Sequence, residues 1–446
     1  MSWTAVGWGL AAALSLGYVL LFFASPVHRA VLWAFLVPDE WLRQWAGGSW
    51  DRVGIGDRFP IFVLASLVQL SMLGYGFVTM ILLGWPSAKL GTRLGHWPLA
   101  AALGWGVHQT ILLAAGWLGL LHARSVASIA MLFGVLLASV AMWQGAQGVR
   151  RSRGWKVGSS WPQLGGLVLL VAWSVYLSLA AALPPRDFDV REYHLQVPKE
   201  WHQQGRVTFM SHNIYGNMPL GAEMAALECM VLWGGEEGWW WGALCGKVLM
   251  AWGTLWCAVW LGAEARKRWK GAAGVVAAGL YATAPGITHV SLAGLNEGVL
   301  AFYYFGVVAM VLAAMEQRRS PNLATRAWKA AAVLAGFAAS VKYPAVLFVA
   351  LPVVVTAGLA AWREGHAWRF ILSRVTGVAL LIVAAGGIWY VKNAVVSGNP
   401  VYPLAARWLD GRTRTPERIA QWERAHQVPR DEQGRRYSPR QWFEAL

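Results

Sequence analysis

The chain has 446 residues, 57% of them hydrophobic and only 13% charged, against about a quarter charged in an ordinary soluble domain. Its formal charge of +16 comes from 38 Lys and Arg against 22 Asp and Glu, yet the basic residues fall in short loops between apolar stretches of about 20 residues, as the positive-inside rule and anionic headgroups produce. Composition therefore argues against nucleic-acid binding and against a soluble core, and makes the bilayer the solvent in which helices must satisfy their own backbone groups.

The N-terminal stretch MSWTAVGWGLAAALSLGYVLLFFASP has no basic leader, and its apolar run is long for a cleaved signal, so it reads as a retained first span. Further apolar spans are expected near 60–84, 97–121, 125–145, 163–183, 238–262, 271–291, 296–315, 328–341, 344–362 and 369–390. The 30 Trp suit an interfacial belt, and GWWWG at Gly238–Gly242 fits a helix entering the membrane. Cys229, Cys245 and Cys257 lie in or near apolar helical segments, with neither zinc nor disulfide spacing. The fold class expected is an all-α polytopic membrane protein with about 10–12 membrane segments and an outer-face loop carrying surface helices.

Five basic loops, at 88–97, 150–156, 265–270, 316–329 and 363–374, alternate without conflict if all are cytoplasmic together with the N-terminus. Segments 328–341 and 344–362 then form a hairpin, with Val341–Pro344 at its outer tip. The outer face gathers the loop 184–237, this tip, the connection Thr288–Gly298 and the segment from Trp389 onward. Within the loop, Gly221–Gly235 reads as an amphipathic or half-inserted surface helix. Three parts follow: residues 1–150, with about four spans of unassigned role; a membrane core over 151–403; and a polar tail over 404–446, which reads as a truncated outer loop.

The loop beginning DFDVREYH carries the densest chemistry. Asp187 and Asp189 follow Pro184 and Pro185, which must end the helix before them. A carboxylate held there at fixed depth is a candidate general base, or an ordinary helix cap. Tyr193, four residues after Asp189, shares its face if the chain coils, and His194 comes next. Lys342 stands alone among apolar residues, where a charge either binds an anion or snorkels. Tyr343 follows it. Lys392 and Asn393 fall where a span is expected to leave the membrane, ahead of a Gly-Asn-Pro turn. Asn296 and Glu297 suit capping at a helix start. His194, His202 and His212, with Asp187 or Glu192, match no tight metal motif, so no metal ligand is assigned. No phosphate loop, dinucleotide fingerprint or serine elbow is present in the sequence.

DFDVREYH (Asp187–His194), GFAASVKY (Gly336–Tyr343) and KNAVVSGNPVYP (Lys392–Pro403) together resemble the GT-C superfamily of multi-spanning glycosyltransferases. That superfamily includes protein-mannosyl, lipid-A and aminoarabinose transferases and the bacterial RgtA/B/C/D-like group. The resemblance covers about residues 163–403 and implies an inverting transferase at the outer face of a bacterial inner (plasma) membrane. Its donor is a sugar linked to polyprenyl phosphate, and its acceptor a lipid, glycan or protein. It puts the catalytic carboxylate on Asp189, with Asp187 as alternative. It gives Lys342, Tyr343, Lys392, Asn393, Tyr193, His194 and Glu297 to substrate and phosphate binding. No cofactor is required, although some members use a divalent ion such as Mg or Mn. Lys392 stands where Arg is common in the family, and relatives usually continue with further spans. A transporter or lipid flippase, or an inactive homologue, are the other readings of the same residues.

Overall fold

The computed structural model describes residues 3–26, 55–87, 90–91, 93–151, 161–269, 271–317, 320–409, 413–426, 434–438 and 441. Parts of the basic loops at 88–97, 150–156, 265–270 and 316–329, and of the polar tail, lie outside them. The chain forms two compact units, residues 1–60 and 61–446. The first holds α1 (Trp3–Ala24), whose Leu14, Leu20 and Leu21 are exposed as a lipid-facing helix requires.

In chain order, α2 (Ile55–Leu82), α3 (His96–Trp117), α4 (Arg124–Arg151) and α5 (Trp161–Ala181) come before the long loop. The loop contains α6 (Gln196–Gln204) and α7 (Met224–Trp233). Then follow α8 (Gly238–Trp269), α9 (Ala273–Thr283), α10 (Pro285–Ala293), α11 (Glu297–Glu316), α12 (Pro321–Ala339), α13 (Leu351–Arg363), α14 (Trp368–Ser397), α15 (Ala406–Leu409) and α16 (Pro416–Ala425). Among the described residues eight helices are long and apolar enough to cross a membrane, or nine if α9 and α10, bent by 60°, form one broken span. The all-α polytopic architecture is thus observed.

Helix α8 is the spine of the larger unit and packs against α5, α7, α9, α10 and α11. Small residues set the closest approaches. Gly242 and Gly246, one turn apart on α8, lie against Met230 and Ala226 of α7, where an added Cβ would stand 2.4 and 2.5 Å from the respective Cα atoms. At the α12–α14 crossing a Cβ on Gly386 would stand 2.1 Å from the Gly336 carbonyl oxygen. Helix α12 is sunk between α11 and α14, with Ala330–Ala339 wholly buried, which its alanine-rich sequence permits.

The stretch 221–235, expected at the surface, proves to be a core helix, since Met224–Leu232 are all buried in α7. Its sequence offers no polar face to wet. Glu228, the acid within it, turns inward to His108 of α3 at 2.8 Å, and Ser71 Oγ of α2 sits 3.1 Å from the other nitrogen of that ring. A buried carboxylate needs such a partner. Helices α3 and α4 both pack on α7, so the early spans buttress the loop.

The ends of the unit differ in chemistry. At one, Lys267 and Arg268 of α8 bind Glu316 of α11 at 3.0 and 2.7 Å. At the other, the polar stretches converge as expected: Gly221 N–H donates to Ser340 C=O at 2.9 Å, and Tyr343 Oη donates to Tyr402 C=O at 2.7 Å.

Candidate functional site

The site is built at this second end from the helix breaks. Pro184 and Pro185 end α5 and leave the Leu183 carbonyl without a helical partner. Lys247, buried in α8, donates to that carbonyl at 2.6 Å. The chain then turns, and Asp187 Oδ1 accepts from the Val190 N–H at 3.2 Å as a cap. Residues Val190–His194 coil as a π turn, with Leu195 N–H donating to Val190 C=O at 2.9 Å. Such wide turns recur at functional sites. Asp189 opens this turn, exposed, and its carboxylate has no hydrogen bond or ion pair among the described residues.

Tyr193 and His194 point into the protein. Buried His194 places Nδ1 2.5 Å from Glu223 Oε1, and Asn296 Nδ2 donates to the same oxygen at 2.8 Å. Three separate elements are thereby tied together: the π turn, the start of α7 and the start of α11. Burial raises the Tyr193 phenol above its ordinary range, and the charges of Asp189, Glu223 and Glu297 raise it further. Tyr193 is therefore a neutral hydroxyl at physiological pH, standing in the field of three carboxylates.

Across from it, α12 ends at Ala339 and the chain turns through Lys342 and Tyr343 before a second π turn, Val346–Ala350. Gln109 of α3 donates to Ser340 Oγ at 2.6 Å and holds the tip. Lys342 Nζ donates to Glu297 Oε1, with both side chains partly exposed. Tyr343 is fixed by Asn393, whose Nδ2 donates to its hydroxyl at 2.9 Å. Burial raises the Tyr343 phenol too, so it acts as a neutral donor and acceptor.

Between these walls lies a groove of about 470 Å³, within the range of ligand sites. Tyr193, Tyr215, Asn296, Lys342 and Tyr343 supply its polar groups, while Leu220, Leu347, Phe348 and Leu404 make it greasy. Trp422 and His426 at the end of α16 also line it, with His426 Nε2 3.2 Å from Tyr215 Oη. A largely apolar groove with the Lys342 ammonium in its wall suits an amphiphile carrying an anionic head.

The groove thus brings together Tyr193, Lys342 and Tyr343, with Glu297 bound to Lys342 and His194 behind Tyr193. Lys392 is elsewhere. Helix α14 does not end before it but runs on to Ser397, stopped by Gly398 at φ 79°. The extra turns rotate Lys392 inward, where Nζ lies 5.6 and 5.2 Å from the Trp201 and Trp389 rings. Asp187 is a cap. Among the described residues no three His, Cys, Asp or Glu side chains group as a metal site. Sequence reasoning passed over Glu223, Lys247 and Ser340. The signal was available for the first two, each a lone charge at or inside an apolar run.

The class that fold and site define is a multi-spanning α-helical membrane protein with an amphiphile-sized groove at one end. Compared with known proteins, the chain matches no family model, no curated protein and no solved structure.

Proposed function

We propose that the protein is an inverting glycosyltransferase that takes a sugar from a polyprenyl-phosphate donor and passes it to a lipid, glycan or protein acceptor. The observation that carries this reading is the apolar groove lined by both Lys342 and Tyr193, with Asp189 exposed on the Tyr193 turn, outside the groove's own lining. The polyprenyl tail would lie along Leu347 and Phe348, both exposed. The phosphate would reach Lys342, whose ammonium has three donors and gives one to Glu297.

In the reaction an acceptor hydroxyl oxygen forms a bond to the anomeric carbon from the face opposite the phosphate. The carbon–oxygen bond to phosphate breaks and its electron pair leaves with the phosphate. The hydroxyl proton passes to Asp189. Lys342 offsets the charge that grows on the leaving group. Neutral Tyr193 and Tyr343 can donate to sugar or phosphate oxygens.

The setting assigned to this chemistry is the outer face of a bacterial inner membrane. A flippase or transporter would need ionisable groups along a path. Lys247 and Lys392 are buried in the spans, and the His108–Glu228 pair faces a small cavity of about 50 Å³.

The test is Asp189→Asn, which removes the base without altering shape. Membranes carrying it should still insert the protein but release no polyprenyl phosphate from a labelled lipid-linked sugar. Asp187→Asn should keep transfer. Full transfer by Asp189→Asn would remove the catalytic assignment.

A further inference from the structure

A second cavity, of about 420 Å³, opens at the other end of α6. His202 and Gln203 of α6 form one wall. The turn between α3 and α4 gives His122 and Arg124, and the turn after α7 gives Gly234, Gly235 and Glu236. Trp239, in the first turn of α8, lines it with an indole fixed by Lys199, whose Nζ lies 3.9 Å from the ring centroid. Gly234 and Gly235 have φ of 67° and 71°, which other residues rarely adopt. A Cβ on Gly234 would stand 3.2 Å from Arg124, so glycine lets the guanidinium lie against the turn.

The lining sorts the candidate ligands. An apolar ligand is a poor match, because beside Leu121 and Val231 the lining carries His122, Arg124, His202, Gln203 and Glu236. An anion is a poor match too: Glu236 offsets Arg124, and burial together with His122 keeps the His202 ring neutral. What remains is a donor-only group, Arg124, an acceptor-only group, Glu236, and groups of both kinds, Gln203 and the imidazoles of His122 and His202, beside the Trp239 indole. That mixture suits vicinal hydroxyls on a ring with one C–H face.

We propose that this cavity binds a carbohydrate, packed beside Trp239 and hydrogen-bonded by Arg124, Gln203 and Glu236. From Gln196 to His202 the chain advances along α6 by about 9 Å at ~1.5 Å per residue. A chain of several sugar units seated here would reach toward Asp189. Its identity as the acceptor glycan rests on the transferase reading; the binding does not.

The experiment is retention of the full-length protein, in lipid nanodiscs, on a printed array of defined oligosaccharides. Wild type should retain a discrete set of glycans. Trp239→Ala should lose at least about tenfold in affinity, equivalent to ~1.4 kcal/mol. Gln203→Ala, at an exposed position that does not endanger folding, should also weaken it. No retention above empty nanodiscs, or equal retention by wild type, Trp239→Ala and Gln203→Ala, would overturn the proposal. Glycan retention without any sugar transfer would remove the transferase reading and leave this site standing.

Discussion

Lys392→Met should stabilise the protein. Lys392 is 1% exposed, and its Nζ has no hydrogen-bond partner among the described residues. Taking an ammonium out of water costs several kcal/mol even after relaxation. The rings of Trp201 and Trp389 return part of this, at most about 2 kcal/mol for a desolvated cation–π contact. Met has a similar length and no charge, so it would fill the same space without the penalty, for a net gain of roughly 1–3 kcal/mol. In a chain of this length the midpoint should rise by roughly 2–5 °C. Cys229, Cys245 and Cys257 are all buried, so a thiol-reactive fluorophore reports unfolding directly in detergent. Lys392→Ala should instead lower the midpoint, because it leaves a cavity. A fall in midpoint for Lys392→Met would refute the argument.

Two further outcomes rest on separate features. Gly386→Val should sharply lower folded yield, because its Cβ would meet the Gly336 carbonyl oxygen, whereas Gly377→Ala on the same helix has open space and should be neutral or slightly stabilising; gel filtration of the solubilised variants compares them. Burial and His122 hold His202 below the ordinary histidine range. The unfolded chain therefore takes up a proton near pH 6.5 that the folded chain refuses. Stability should drop as pH falls below that value. His202→Gln should remove this part of the slope while matching wild type at pH 8, as thermal midpoints between pH 8 and pH 5 will show.

Most of the spans and the gathering of polar stretches at one end were legible because they follow from hydropathy and loop charge, both local properties of the sequence. About 10–12 segments were expected against eight or nine candidates among the described residues, and the expected segment 328–341 lies in α12, which is not one of them. The tip at Lys342 was legible for the same reason, as a lone charge ahead of a proline in an apolar run. The burial of α7 was not. Its apolar run fits a membrane surface or a protein core equally well, and only packing against α3, α4 and α8 decides between them. Lys392 was misplaced by two helical turns, because nothing before Gly398 stops α14. The His194–Glu223–Asn296 cluster joins residues up to about a hundred positions apart, a long-range arrangement that no local spacing rule can reveal.

The two π turns flank the groove, Tyr193 belonging to one and Leu347 and Phe348 to the other. A π turn is an α turn with one residue added, so each amounts to a single inserted codon. Taking that residue out would rotate everything beyond it by about 100° relative to what comes before. Tyr193 would leave the groove in one case, and the apolar wall in the other. Whether such a protein has a groove at all can therefore change through an insertion or deletion of three nucleotides, with every neighbouring side chain left as it was.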